Sequence, residues 1–229
     1  GKPLGEKAQI QQTLVAFNCI ACHTRDGAGG VSNAMFKNFG TDEEGLGNPA
    51  RIPPTLDGVG AKLRPEWMRK VLFDAETVRP YMHVRMPQFG EGNLGHLPAL
   101  LERVDILKPV VMPEPPRDNR RKLREGGHQL MGDKGLNCVA CHNFNGKKSP
   151  GLKGLDLLTS FERLKPSWFY RFMLEPAKHR PGIVMPIYWP GGQSIRKDIL
   201  EGDADQQLKA LWYYFSLGRS ARDPSGIRS

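Results

Sequence analysis

The sequence predicts an all-α protein made of two small tandem domains with long loops. The segment NCIACHTRDG, residues 18–27, returns almost letter for letter as NCVACHNFNG, residues 137–146. Apolar residues follow helical spacing, and no segment shows the period-two alternation of a strand. The hydrophobic fraction of 39% over 229 residues is low for one large core, and 26 glycines with 19 prolines indicate many loops.

The first domain is assigned to residues 1–108 and contains three predicted helices. The first covers residues 7–17 and leads into the first repeated motif. The second follows Pro65, contains Trp67 and ends near residue 73, because proline is well tolerated in the first turn of a helix. The third covers residues 97–107 and closes the domain.

The second domain is assigned to residues 121–229, with helices predicted at 121–130, 167–174 and 205–217. Asp203 or Asp205 can cap the last helix. Its apolar residues lie on one face, which is expected to pack across the first helix of the same half. These residues are Leu208, Leu211, Trp212 and Phe215.

Residues 109–120 form the predicted linker between the two domains. Four prolines lie within residues 109–116. Such a proline-rich segment is stiff and extended, so it either holds the two domains in a fixed relation, which would matter for electron transfer between them, or only joins them.

The formal net charge of +9 raises the question of an acidic partner. Lysine and arginine are scattered among acidic residues, so a solvated basic surface is favoured over nucleic-acid binding. Docking to an acidic protein partner stays open. No run reaches the ~20 apolar residues of a transmembrane helix. Without an initiator methionine or a signal peptide, the chain is expected to be mature or excised from a longer protein.

All four cysteines lie in the two repeated motifs, and each motif has the pattern C-x-x-C-H. A zinc site could combine two C-x-x-C pairs, but zinc gives no reason for a histidine to follow both. A thioredoxin-like redox pair would need one copy, at a helix start after a strand. The residues are Cys19, Cys22 and His23 in the first motif and Cys138, Cys141 and His142 in the second.

A covalent c-type haem accounts for every position of this motif. Two thiols at this spacing lie on one face of a helical turn, where both can add to the vinyl groups along one porphyrin edge. The histidine that follows is then held under the iron as an axial ligand. The motifs therefore predict two covalently attached haem c groups, with His23 and His142 as iron ligands.

A second set of residues repeats downstream of each motif. When the halves are aligned on Pro65 and Pro166, a tryptophan, an Arg-Pro pair and a Met-Pro pair recur in the same order. Between Arg-Pro and Met-Pro the first copy is two residues longer. The matched residues are Trp67 with Trp168, Arg79 with Arg180, and Met86 with Met185.

This order of elements resembles class I cytochrome c, present here as a tandem two-haem protein. Each half also carries a P-x-L-x-G element, at residues 54–58 and 150–154. The resemblance covers nearly the whole chain and implies two domains of about three main helices, each wrapped around its haem. It also implies that the carbonyls of Pro54 and Pro150 accept hydrogen bonds from the ligating histidines, and that Met86 and Met185 are the sixth ligands.

The chemistry of methionine agrees with this assignment. A thioether is a soft, neutral ligand that favours ferrous iron, and the proline after each methionine fixes the local geometry. His83 and His179 are the rival ligands, but neither repeats, so both are interpreted as surface or propionate-contacting residues. The other methionines are interpreted as core or surface residues: Met35, Met68, Met82, Met112, Met131 and Met173.

For two further pairs and one segment the sequence leaves alternative roles open. Trp67 and Trp168 are interpreted as core aromatics that also pack or hydrogen-bond at the haem edge. Arg79 and Arg180 either neutralise haem propionates or are exposed to solvent. The glycine-rich insertion at residues 26–49 has no counterpart in the second half. It either shields the first haem, contacts a partner or serves only as a loop.

The predicted function is the transfer of single electrons between redox partners through two His/Met-ligated haems. By family expectation covalent haem is attached in the periplasm or an equivalent exterior space, and the basic charge favours an acidic or membrane-bound redox protein as partner. One alternative is a dihaem peroxidase, which needs an iron open to peroxide with acid–base groups above it. Another is the electron-exit module of a larger dehydrogenase or oxidase.

Overall fold

The computed structural model describes residues 3–227 and is mainly helical with little strand, as predicted for an all-α protein. The chain divides after Lys108 into two compact units, which are described separately. In the described part of the chain, none of the helices combines the length and the apolar character that crossing a membrane requires.

The first unit contains the three predicted helices and a small hairpin. Helix α5 ends three residues earlier than predicted, because the carboxylate of Asp105 turns inward to bind Arg25. The hairpin strands are too short to produce a pattern in the sequence. The helices are α1 (Glu6–Ala16), α2 (Val59–Lys62), α3 (Pro65–Phe73), α4 (Glu91–Leu94) and α5 (Leu97–Val104), and the antiparallel strands are β1 (Thr24–Arg25) and β2 (Ala28–Gly29).

The core of the first unit lies between α1, α3 and α5. The backbones of α2 and α5 approach closely at Gly60 of α2. A Cβ at this position would overlap the carbonyl of Leu101 in α5. Cys19 packs against this core from the first motif. The buried cluster consists of Ile10, Leu14, Met68, Leu97, Leu100 and Leu101.

The second unit also contains its three predicted helices. Its first helix begins at Arg117, four residues before the predicted start, and so includes the last residues assigned to the linker 109–120. Pro116 is extended and its carbonyl accepts the amides of Asn119 and Arg120, which starts the helix there. The helices are α6 (Arg117–Met131), α7 (Thr159–Arg163), α8 (Pro166–Leu174), α9 (Pro176–His179) and α10 (Ala204–Ser216).

Helix α10 crosses α6 closely at Gly127. A Cβ at this position would lie 2.5 Å from the carbonyl oxygen of Ala210 and 2.6 Å from Cβ of Tyr214. Packing of α10 on α6 is therefore as predicted, but the aromatic part of the predicted stripe faces elsewhere. The rings of Trp212 and Phe215 lie 5.0 and 5.9 Å from Phe169 of α8.

The cap of α10 is formed by the first of the two predicted candidates. The carboxylate of Asp203 accepts a hydrogen bond from the amide of Gln206 at 2.7 Å. This contact satisfies one of the free amides at the start of the helix.

Candidate cofactor sites

The two C-x-x-C-H motifs have the same backbone. Asn18 and Asn137 adopt left-handed conformations, with φ of 52° and 55°. Each leads into a 3-10 turn, Cys19–Ala21 and Cys138–Ala140. Asparagine tolerates the left-handed region better than most residues. The left-handed backbone at both positions therefore explains why asparagine recurs there.

The turn after each motif is also the same. Residues 26–27 and 145–146 all have positive φ, and in each copy the second residue is glycine. This is the chemistry of a tight hairpin turn. The carboxylate of Asp57 accepts the amide of Asp26 at 2.6 Å, and the carboxylate of Asp156 accepts the amide of Asn145 at 3.2 Å. Each motif is therefore followed by an equivalent turn, and in each copy an acidic side chain accepts an amide of that turn.

Glycines on a neighbouring segment allow close contact with each motif. A Cβ at Gly29 would lie 2.6 Å from the carbonyl oxygen of Ile20 and 2.7 Å from that of His23. In the second unit, a Cβ at Gly154 would lie 2.5 Å from the carbonyl oxygen of Cys141. These glycines let a neighbouring segment pack directly against the backbone of each motif. Sequence reasoning missed this role because the two glycines follow their motifs at different separations along the chain.

None of the four cysteines forms a disulfide bond. The first cysteine of each pair faces the interior: burial raises the pKa of Cys19, and it raises the pKa of Cys138 to about 12. Burial raises the pKa of Tyr188, and the nearby charges of Cys138 and Cys141 raise it further. The segment that follows Met185 therefore reaches the second C-x-x-C pair.

Both motif histidines have the tautomer that metal binding needs. Nδ1 of His23 lies 2.6 Å from the carbonyl oxygen of Pro54, and Nδ1 of His142 lies 3.1 Å from that of Leu155. A carbonyl oxygen can only accept, so Nδ1 carries the proton and Nε2 keeps its lone pair. Burial is the main cause that lowers the pKa of both histidines, which favours the neutral imidazole. A neutral imidazole oriented by a backbone carbonyl is the usual form of a metal-ligating histidine.

One of the two predicted acceptors is therefore wrong. The hydrogen bond from His23 to Pro54 is present, but His142 bonds to Leu155 and not to Pro150. The acceptor is a backbone carbonyl, which any residue can supply, so the letters P-x-L-x-G do not locate it.

The distance to the repeated tryptophan locates the acceptor correctly. Pro54 lies 13 residues before Trp67, and Leu155 lies 13 residues before Trp168. The structural counterpart of residues 54–58 is thus 155–159, where the central leucine recurs without the proline or the glycine.

Arg79 is a buried cation near the first motif. Its side chain is 8% exposed, which excludes the solvent-exposed interpretation. The charge of Arg79 contributes to the lowered pKa of His23, so the guanidinium lies close to that imidazole. Within residues 3–227 it meets no carboxylate, and its one hydrogen-bond contact is the sulfur of Met82 at 4.0 Å. A buried guanidinium without a carboxylate is costly unless an anion approaches it. Arg180, its counterpart, is half-buried.

The other predicted residues have the following positions. Trp67 and Trp168 are both buried, as expected of core aromatics, and the ring of His179 lies 6.1 Å from that of Trp168. Met86 is 36% exposed and Met185 is half-buried. Both methionines lie on loops rather than in helices.

The residue two positions after each motif histidine contacts the last helix of its unit or the residue that follows it, a contact that sequence reasoning missed. In the first unit, Arg25 and Asp105 form a buried ion pair with an N–O distance of 2.7 Å. In the second unit the equivalent residue is Phe144, whose ring stacks on Tyr214 at 5.5 Å. An ion pair and an aromatic pair share no sequence signal, so the repeat could not reveal them.

No three His, Cys, Asp or Glu side chains form a metal-binding group among the residues that the structure describes. An iron held by one histidine and one methionine would not produce such a group. Comparison of the chain with protein-family models, curated proteins and solved structures finds no match.

Proposed function

We propose that this protein is a dihaem c-type cytochrome that carries single electrons between redox partners. The observation that carries the proposal is the doubled site: two C-x-x-C-H turns of the same backbone, each with a neutral histidine whose Nε2 is left free by a backbone hydrogen bond. A zinc or dithiol site does not require that histidine geometry in both copies.

The residues present fit a covalent haem in each unit. Cys19 and Cys22, and Cys138 and Cys141, would form the thioether links. His23 and His142 would bind the irons from one side, and Met86 and Met185 from the other. When bound, the haem iron supplies the change between Fe(II) and Fe(III) that carries the electron.

The chain contributes orientation, charge and a dry environment. The carbonyls of Pro54 and Leu155 hold the imidazole rings in place. Arg79 provides a buried positive charge beside the first motif, which suits the carboxylate of a haem propionate. Trp67 and Trp168 contribute buried apolar surface. The net charge of +9 favours an acidic partner, which is either soluble or membrane-bound.

The same chemistry is compatible with a free carrier and with the electron-exit module of a larger dehydrogenase or oxidase. In either form we place the protein in the periplasm or an equivalent exterior compartment, where covalent haem attachment takes place. Haem staining of the native source after gel electrophoresis would give the length of the natural protein.

The proposal is tested by haem staining of the purified protein on a denaturing gel. Covalent haem stays with the chain, and replacing Cys138 and Cys141 together by serine should remove half of the stain. An unstained chain, or one that holds zinc, contradicts the proposal. Peroxide added to the semi-reduced protein then distinguishes the enzyme class, because turnover would favour a peroxidase and simple bleaching an electron carrier.

A further inference from the structure

The glycine-rich insertion of the first unit pairs with the segment that precedes Met86. Residues 40–42 run antiparallel to residues 81–83, and Thr41 forms a bridge with Met82 at the centre. Met86 follows this bridge by four residues. The insertion therefore contacts the segment that carries the proposed sixth ligand of the first haem.

Backbone and side-chain contacts act together at this pairing. The amide of Asp42 donates to the carbonyl of Tyr81 at 3.0 Å, and the amide of His83 donates to the carbonyl of Gly40 at 3.1 Å. The Asp42 carboxylate lies 2.7 Å from Nε2 of His83. The His83 ring rests against Gly40, where a Cβ would overlap Nδ1. A side chain at position 40 would therefore push the ring away from its present contact with Asp42.

The second unit restrains the chain on the other side of its methionine. It has no insertion, and the stretch after Met185 is fixed from inside by Gln207, which is fully buried and bonds Trp189 at 2.9 Å. In the first unit the contacts lie at the surface instead, since the side chains of His83 and Asp42 are 57% and 71% exposed.

We propose that residues 40–42 are a positioning element that holds the Met86 segment over the first haem. The inference rests on the proposed function, because it gives Met86 an iron to bind. A methionine on a restrained segment has a higher effective concentration at the iron than one on a free loop. The insertion thereby protects the first iron from external ligands.

The test uses the holoprotein and three substitutions in the insertion. Asp42→Ala removes the carboxylate that binds His83, and Gly40→Ala displaces the His83 ring. Glu44→Ala is the matched control, since it also removes one exposed carboxylate but lies outside the paired residues. Imidazole is titrated into the ferric protein, and its binding is followed by haem absorbance.

We expect Asp42→Ala and Gly40→Ala to tighten imidazole binding at one haem by about two- to fivefold, the range that follows from losing an exposed ion pair. The other haem and the Glu44→Ala protein should match the wild type. Equal imidazole affinity in all three variants would overturn the positioning role while leaving two Met-ligated haems in the wild type. A wild type without methionine-ligated haem would instead overturn the proposed function.

A second measurement, limited proteolysis, tests how well the Met86 segment is held without relying on a signal from the iron. Trypsin cleaves after Arg85, which directly precedes Met86, and fragments are identified by mass. Cleavage should be faster in Asp42→Ala and Gly40→Ala than in Glu44→Ala. Where a variant loads too little haem for titration, unchanged cleavage at Arg85 contradicts the positioning role in the same way.

Discussion

Replacing Gln207 by leucine should loosen the segment that follows the second Met-Pro pair. The Gln207 amide is fully buried in α10 and uses all of its hydrogen-bonding capacity. Its Oε1 accepts from Nε1 of Trp189 at 2.9 Å and from Oγ of Ser194 at 2.7 Å. Its Nε2 donates to the carbonyls of Arg196 at 2.8 Å and Ile199 at 2.7 Å. One side chain thus fixes four points of the segment to the helix.

The size of the effect follows from which partners can find a replacement. Ser194 already lies 3.3 Å from the carbonyl of Arg196, so these two groups can satisfy each other. Nε1 of Trp189 would be left buried without a partner, whereas the carbonyl of Ile199 still accepts the amide of Gly202 at 3.1 Å. An unsatisfied buried group costs about 1–3 kcal/mol, so the free energy of unfolding should fall by about 2 kcal/mol. Leucine is close in volume to glutamine and leaves no large cavity that would add to this loss.

The assay is urea unfolding of the holoprotein, followed by circular dichroism and fitted with separate transitions for the two units. Gln206→Leu is the matched control, because Gln206 is the preceding residue of α10 and its side chain makes no hydrogen bond in the described structure. The control should change the free energy by about 0.5 kcal/mol or less. If Gln207→Leu lowers the free energy of unfolding by less than about 1 kcal/mol, or by no more than the control does, Gln207 does not hold this segment.

Three more predictions test other parts of the account. Arg25→Met leaves Asp105 buried without its partner and should lower the free energy of unfolding of the first unit by about 3–5 kcal/mol in the same urea assay; a loss below 1 kcal/mol would contradict a structural ion pair. Met86→Leu and Met185→Leu should each remove half of the near-infrared sulfur-to-iron band, whereas Met82→Leu, which changes a buried methionine, should keep it; loss of the band in Met82→Leu would reassign the ligand. Electron transfer with an acidic partner should slow as salt is added, and a rate independent of ionic strength would exclude steering by the net positive charge.

The main helices could be predicted from the sequence because their signals are local. The apolar spacing of α10 and the prolines that open α3 and α8 are properties of short segments. Helix ends were less predictable, since tertiary contacts set them. Helix α5 ends where Asp105 turns toward Arg25, a residue far away in the sequence.

The candidate sites were predictable to the extent that the backbone depends on particular residues. Left-handed Asn18 and Asn137 and the glycines of the following turns recur because few residues adopt those conformations. The acceptor for His142 was predicted wrongly, because a carbonyl oxygen carries no residue signature. The spacing to Trp168 was the signal that could have identified it.

Contacts between distant segments could not be predicted from the repeat. The two halves attach the turns that follow their motifs with an ion pair in one case and stacked rings in the other. They also hold their methionine segments differently, through Asp42 and His83 at the surface in the first unit and through Gln207 in the interior of the second. Differences of this kind leave no shared pattern for a comparison of the halves to detect.

The most direct test is the haem content of the purified oxidised protein, measured together with its near-infrared absorption. The account predicts two covalent haems per chain, with a sulfur-to-iron band of the intensity expected for two methionine-ligated irons. A colourless or zinc-containing protein would contradict it, and so would a single haem that lacks the band.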